Sequence, residues 1–287
     1  MVQENDKLEP SEQSVARQAQ IAAIRTFYRK IGAHRSVLGY PLSDISFAGN
    51  AGQQRFAGGE IQFLDFTPKG THTTAVRVRF VGFHCIQESE FDDLDHPVEP
   101  YFIIGVAGSN RSNTVRFGPF ENVDTGSDRF EATMLADPFG PNPISITPPI
   151  LIGVVAVEHD FGTPEEAEEK VRNVFEAIEE KFDQAAATVS GTSAGSHVMP
   201  QFARDILTGW VPEGVAALFG LGDDIIGAVP HVMFDFNPGL DQWQSPPGIG
   251  LHGKNLYNTA IKIDGGSEGK YELRFNVEIA HINVGIG

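Results

Sequence analysis

The chain has 287 residues, with 38 acidic against 21 basic side chains and a formal net charge of −17. That balance excludes a general affinity for nucleic acid, which rests on neutralised phosphates, and it suits solubility, a divalent cation or a basic partner. A lone cysteine, Cys85, leaves no internal disulfide and no thiolate zinc cluster, and no apolar run is long enough to span a bilayer as a helix.

The N-terminus is polar and lacks a signal-peptide core, so the sequence reads as cytoplasmic or as exported without a cleaved signal. Hydrophobic residues at 41% are enough for a packed core, and 31 Gly, 18 Pro and 21 Phe favour a β-rich chain with many turns. Residues 1–13 read as a disordered tail. From 14 to 31, Val15, Ile21, Ile24, Phe27, Tyr28 and Ile31 recur at helical spacing, and Gly32 ends the helix.

Leu38-Gly39-Tyr40-Pro41 follows, then Arg55-Phe56-Ala57-Gly58-Gly59-Glu60-Ile61-Gln62-Phe63. Pro41 and the glycine pair set turns, and the alternation of Phe56, Ile61 and Phe63 suits a short hairpin. Residues 31–63 resemble a single LGFP repeat, with Tyr40 where Phe is usual. Such repeats occur in arrays in actinobacterial envelope proteins. The resemblance implies either attachment to the cell wall, with Tyr40, Phe56 and Phe63 as binding residues, or a packing module on a larger domain. Residues 14–70 are thus expected to form an N-terminal helix plus repeat-like module.

Residues 67–74 read as a linker by composition. The large domain, expected over 71–287, opens with a strand in which Val76, Val78 and Phe80 share one face and Arg77 and Arg79 the other. An acidic loop at 88–99 follows, carrying Asp92, Asp93 and Asp95, and then strands at 100–108, 115–124 and 129–135. Residues 150–160 form a continuous Val/Ile-rich run ending in Glu158-His159-Asp160. It reads as a buried strand whose two exit acids share a pleat face. Two carboxylates so placed need a cation, a basic partner or open water.

Thr163-Pro164-Glu165-Glu166 signals a helix start: an N-cap, Pro in the first turn, and acids against the dipole. An apolar stripe from Ala167 to Phe182 continues it. Further helices are expected around 202–210 and 215–219, making a helical hairpin inserted at 163–220. Asp223-Asp224-Ile225-Ile226-Gly227 returns to strand character. A final strand pair at 256–263 and 270–279 closes the chain, with Tyr271, Leu273, Phe275, Val277 and Ile279 alternating. The expected fold class is α+β: mainly an antiparallel β-sandwich with an inserted helical hairpin and a small N-terminal module.

The acids Asp92, Asp93, Asp95, Glu158, Asp160, Asp223 and Asp224 cluster at strand exits and entries. Hard cations take six to eight oxygens from several loops at once. The order of these pieces resembles the synaptotagmin-type calcium- and lipid-binding sandwich, the C-two domain. Val154-Val155-Ala156-Val157-Glu158-His159-Asp160 matches its Val-x-Val-x-acid-x-Asp strand, with Glu for the usual Asp. That resemblance implies a Ca2+ site formed by these acids; the alternative is that they cap helices and make turns.

Gly191-Thr192-Ser193-Ala194-Gly195 matches the nucleophile-elbow pattern of serine hydrolases, but a helix precedes it where a strand is needed. The leading expectation is a non-enzymatic, calcium-associated binding protein acting at a cell-wall glycan, a membrane surface or a protein partner. The alternatives are a secreted effector or pore-forming protein using the helical hairpin, and a hydrolase using Ser193.

Overall fold

The computed structural model describes residues 10–49, 51–89, 99–108, 110–141, 143–147, 150–159, 163–189, 224–237, 242–244, 250–251 and 256–287. The first helix, α1, spans Pro10–Lys30. It begins inside the stretch expected to be a disordered tail, because proline is tolerated in a first helical turn and the residues after it are good helix formers. Three short strands follow: β1 (Ser46–Ala48), β2 (Ala51–Phe56) and β3 (Gly59–Leu64). β2 and β3 form the expected hairpin, with Phe56 opposite Gly59.

α1 closes over this hairpin. Ile24, Leu38, Phe56 and Ile61 form a small core with Phe27, Tyr28, Ile31, Phe63 and the distant Ile286 around it. Tyr28 stacks on Phe56 with ring centroids 4.7 Å apart and donates its hydroxyl to the Gly39 carbonyl at 2.7 Å. Gln20 accepts the Gly52 N–H at 2.7 Å.

The next strand, β4, runs from Thr67 to Gln87 without a break. Residues 67–74, expected to be a linker, are therefore strand. The boundary anticipated near residue 70 falls inside one strand, which pairs with β3 over 67–72 and continues into the large sheet. Threonines there have the β-branched shape that a pleated surface favours. Their polar composition resembles a linker only because one side of the strand meets solvent.

Beyond it lie β5 (Pro100–Ala107), β6 (Ser112–Phe117), β7 (Asp128–Ala136) and β8 (Ile150–Glu158). Helix α2 spans Pro164–Val189. β9 (Asp224–Asn237), β10 (Gln242–Gln244), β11 (Gly250–Leu251), β12 (Leu256–Asp264) and β13 (Lys270–Ile286) complete the chain. The helices expected at 202–210 and 215–219 lie outside the described residues. Among the described residues, no helix is long and apolar enough to cross a membrane.

Two antiparallel sheets result. One has the order β1-β2-β3-β4-β13-β12-β11, with β7 also on β4; the other has the order β10-β9-β8-β5-β6. Their inner faces share one core, in which Val76, Val78, Phe80, Phe83 and Phe275 from the first sheet meet Phe102, Ile104, Ile152, Val154 and Ala156 from the second. The fold is an α+β antiparallel sandwich, as the strand pattern predicts.

Two details explain departures from simple alternation. In β4 the inward residues are Val76, Val78 and Phe80, then Phe83 and Cys85. The parity changes because Val81 is an extra residue: Phe275 pairs with Phe80 and Arg274 with Gly82. This bulge needs glycine, since Gly82 has φ +140° and a Cβ there would lie 1.9 Å from the Arg129 carbonyl oxygen.

In the second sheet, every residue of β5 and β8 is buried. One face meets the other sheet. α2 packs over the opposite side of β5 and β6, with Ala167, Val171 and Phe175 fully buried four residues apart. The Phe175 ring fits the space above Gly105, where a Cβ would come within 2.0 Å of it. A strand covered on both faces reads as an unbroken apolar run.

Candidate cation-binding end of the sandwich

Chain order and antiparallel pairing send four connections to the same end. These are residues 88–99 between β4 and β5, 118–127 between β6 and β7, 159–223 between β8 and β9, and 265–269 between β12 and β13. β8 lies at the centre of this end. Its last residue, Glu158, pairs with Pro100 of β5 on one side and with Asp224 of β9 on the other. The ladder extends one step further, because the His159 N–H donates to the Glu99 carbonyl at 3.2 Å. The backbone register thus brings the flanks of all three acidic segments, 88–99, 158–160 and 223–224, side by side.

The neighbouring turn is tied in from below. The Cys85 N–H donates to the Ser127 carbonyl at 2.9 Å, and the Gly126 N–H donates to the Cys85 carbonyl at 2.8 Å. The Glu88 N–H donates to the Thr125 hydroxyl at 3.0 Å. Asp124 therefore belongs to the same end as Glu88. On the other flank the β12–β13 turn presses on β9, with the Ile226 carbonyl oxygen 2.5 Å from where a Gly265 Cβ would stand.

Of the expected metal ligands, Glu158 and Asp224 occupy directly opposed ladder positions. Glu158 is only 7% exposed. Asp92, Asp93, Asp95, Asp160 and Asp223 lie outside the described residues, and so does Ser193 of the elbow-like motif. Among the described residues, no three His, Cys, Asp or Glu side chains gather as a ligand set.

Other acids near this end are accounted for by local pairing. Asp128 lies 3.0 Å from Arg274 and 3.3 Å from the His84 ring. Asp264 accepts the Gly266 N–H at 3.0 Å and lies 3.4 Å from Lys270; the Gly266 hydrogen bond first, and Lys270 after it, hold its carboxyl below the usual range. At the start of α2, Glu165 in the first turn and Glu168 in the next meet Arg116 at 2.7 and 3.5 Å, and Thr163 donates to Glu166 at 3.2 Å. The helix-start role anticipated for acids in this region thus belongs to Glu165, Glu166 and Glu168. Glu158 is a strand residue.

No protein-family model matches this sequence, and a search of curated proteins returns no match. The LGFP-like and C-two-like readings therefore rest on the motifs alone.

The residues assigned to the repeat-like module sit mostly inside it. Tyr40 is 1% exposed and Phe56 is 3% exposed, while Phe63 packs at the edge of the same small core. The Tyr40 carbonyl accepts the Ala57 N–H at 3.0 Å, and the Leu38 carbonyl accepts the Gly58 N–H at 2.8 Å. The Phe56 ring holds the hairpin to the helix through Tyr28, and with Tyr40 and Phe56 both buried a ligand would meet neither ring without displacing packed side chains.

Beneath the acidic end lie two buried groups that the strand pattern presents as ordinary core. Cys85 is fully buried. Burial pushes its thiol up to about 11, and the charges of Glu88 and Asp124 add to this, so the thiol stays protonated and unreactive at neutral pH. Tyr271 sits directly across the β4–β13 ladder from Cys85. Its phenol is held far above its ordinary range, first by burial and then by Cys85, Glu158 and Glu88. The one sequence signal for it is a tyrosine where Leu273, Phe275, Val277 and Ile279 are otherwise wholly apolar.

Proposed function

We propose that this protein is a non-enzymatic binding module that takes a divalent cation, Ca2+ foremost, at the β8 exit of its sandwich. The bound cation would then engage a cell-wall glycan or a membrane surface. The observation that carries this reading is the position of Glu158, flanked in register by Pro100, the residue after Glu99, and by Asp224. Acids from three separate loops at one sandwich end are the arrangement that hard cations require. A chain of net charge −17 needs such an ion before it can approach an anionic surface closely.

The test is a thermal melt of the full chain in chelator, then in millimolar calcium or magnesium. A cation binding only the folded state at a hundred times its Kd adds about 2.7 kcal/mol, which is a shift of several degrees. We expect calcium to raise the Tm, and Glu158→Gln or Asp224→Asn to reduce that shift sharply. No shift at millimolar calcium overturns the proposal. Where the shift occurs, co-sedimentation with peptidoglycan and with anionic vesicles, each with and without calcium, separates the two surfaces.

A further inference from the structure

We infer that a second copy of this chain docks on α1, whose outward basic face fits the outward acidic face of α2. The inference stands apart from the cation reading above. Residues 13–35 carry Arg17, Arg25, Arg29, Lys30 and Arg35 and no acid, so all 38 acidic side chains lie outside this stretch. All five basic residues are exposed. A chain that is acidic elsewhere thus keeps this helix and its exit basic.

α1 turns Ile24 inward onto the hairpin. Its opposite side is a row of Val15, Gln18, Ala22, Arg25 and Arg29, every one exposed. Steps of three and four residues set them along one helix face. α2 turns Ala167, Val171 and Phe175 inward. Its opposite side is a row of Glu166, Glu169, Asn173, Glu176 and Glu180, again exposed throughout and with the same succession of steps. Rows spaced in this way let two helices lie alongside each other. In one register Arg25 and Arg29 fall against Glu176 and Glu180, the same four-residue step apart. Arg172, beside the α2 row, is turned to Glu168 at 2.6 Å and leaves the row acidic. Among the described residues, no acid pairs with Arg25 or Arg29, and no base pairs with Glu176 or Glu180.

Within one molecule the rows stay apart. α1 packs on β2, β3 and β4, and α2 packs on β5 and β6. The partner that completes them is another copy, because the complementary surface is on the molecule itself. A net charge of −17 makes two copies repel at long range. At about 0.1 M salt the screening length is about 10 Å, so the facing rows, rather than the whole molecules, decide the contact. Like charges brought face to face suppress other arrangements, which leaves the basic row as the place where an acidic copy can approach.

The test is sedimentation equilibrium of the full chain in chelator at about 0.1 M salt, from micromolar to millimolar protein. The weight-average mass should rise with concentration. Salt at about 1 M, where the screening length is about 3 Å, should abolish the rise. Arg25→Glu/Arg29→Glu and Glu176→Lys/Glu180→Lys should each weaken association about tenfold or more. Each should keep the parent Tm to within about two degrees, because all four side chains are exposed. Mixing the two variants should restore association, since each then offers the other an oppositely charged row. A monomeric parent, association that survives either reversal, or a mixture that stays monomeric overturns this inference and leaves the cation reading standing. A parent that associates but does not respond to calcium overturns the cation reading alone.

Discussion

Glu158 and Asp224 stand directly opposite each other at the end of the β8–β9 ladder, although 65 residues of chain separate them. Glu158→Gln keeps the length of the side chain and an oxygen that can accept a hydrogen bond, so it should melt in chelator within about two degrees of the parent while losing most of the calcium shift. Differential scanning fluorimetry in both buffers gives the two numbers. A fall of several degrees in chelator would mean instead that the carboxylate is a structural hydrogen-bond acceptor.

The contact between Phe175 and Gly105 gives a separate prediction about the helix. A Cβ at residue 105 would come within 2.0 Å of the ring, and a strand between two packed layers has little room to yield. Gly105→Ala should cost about 1–3 kcal/mol through overpacking. Phe175→Ala should cost about 3–5 kcal/mol through the cavity it leaves. Chemical denaturation measures both. In the double variant the losses should be less than additive, because the alanine methyl fills part of the vacated ring space.

This packing also bears on the effector reading. The first turns of α2 commit their stripe to the second sheet through Ala167, Val171 and Phe175. Over those turns the hydrophobic pattern is explained by the sandwich.

The strand content and the antiparallel sandwich were legible because Val76–Phe80 and Tyr271–Ile279 alternate cleanly, as half-buried strands do. The run at 150–158 could be recognised as buried, but what covers its two faces could not. One face meets the other sheet through Ile152, Val154 and Ala156, which is a tertiary fact. Residues 67–74 read as a linker and fold as strand because polar threonines serve a solvent-facing strand as well as they serve a linker. The inward parity of β4 after Phe80 was hidden by the bulge at Gly82.

At the candidate site, Glu158 and Asp224 stood out because acids interrupt apolar strand ends. Tyr271 reads as core because its ring obeys the apolar pattern, and its oxygen is the one departure from it.

The tip of the β3–β4 hairpin carries a strained and exposed aromatic. Asp65 and Phe66 both have left-handed backbones, with φ of 51° and 66°, in a two-residue turn that favours Asn-Gly. Phe66 is 94% exposed, so its ring recovers none of the cost by burial. Phe66→Gly should stabilise the protein by up to about 1 kcal/mol, the usual penalty of a side chain in this conformation. Denaturant titration of the two proteins decides it: a loss of stability would mean that the ring packs in solution.

His72 makes the joint between module and sandwich sensitive to pH. It pairs with Gly59 of the hairpin and with Val284 of the last strand, is 7% exposed, and has Nε2 2.8 Å from the Thr74 carbonyl oxygen. Burial lowers its affinity for a proton below the ordinary value of 6.5, and the Thr74 contact offsets this only in part. His34 shifts the same way, by burial and then by Arg35. A group depressed in the folded state takes up its proton more readily when unfolded, so acid favours unfolding. The stability from a neutral His72 is fully present above about pH 6.5 and is lost as the pH falls below that toward its folded value. The Tm should therefore decline between pH 7.5 and 5.5 in chelator, and His72→Gln should flatten that slope in part, leaving the share due to His34. An unaltered slope in His72→Gln would assign the whole effect to other groups.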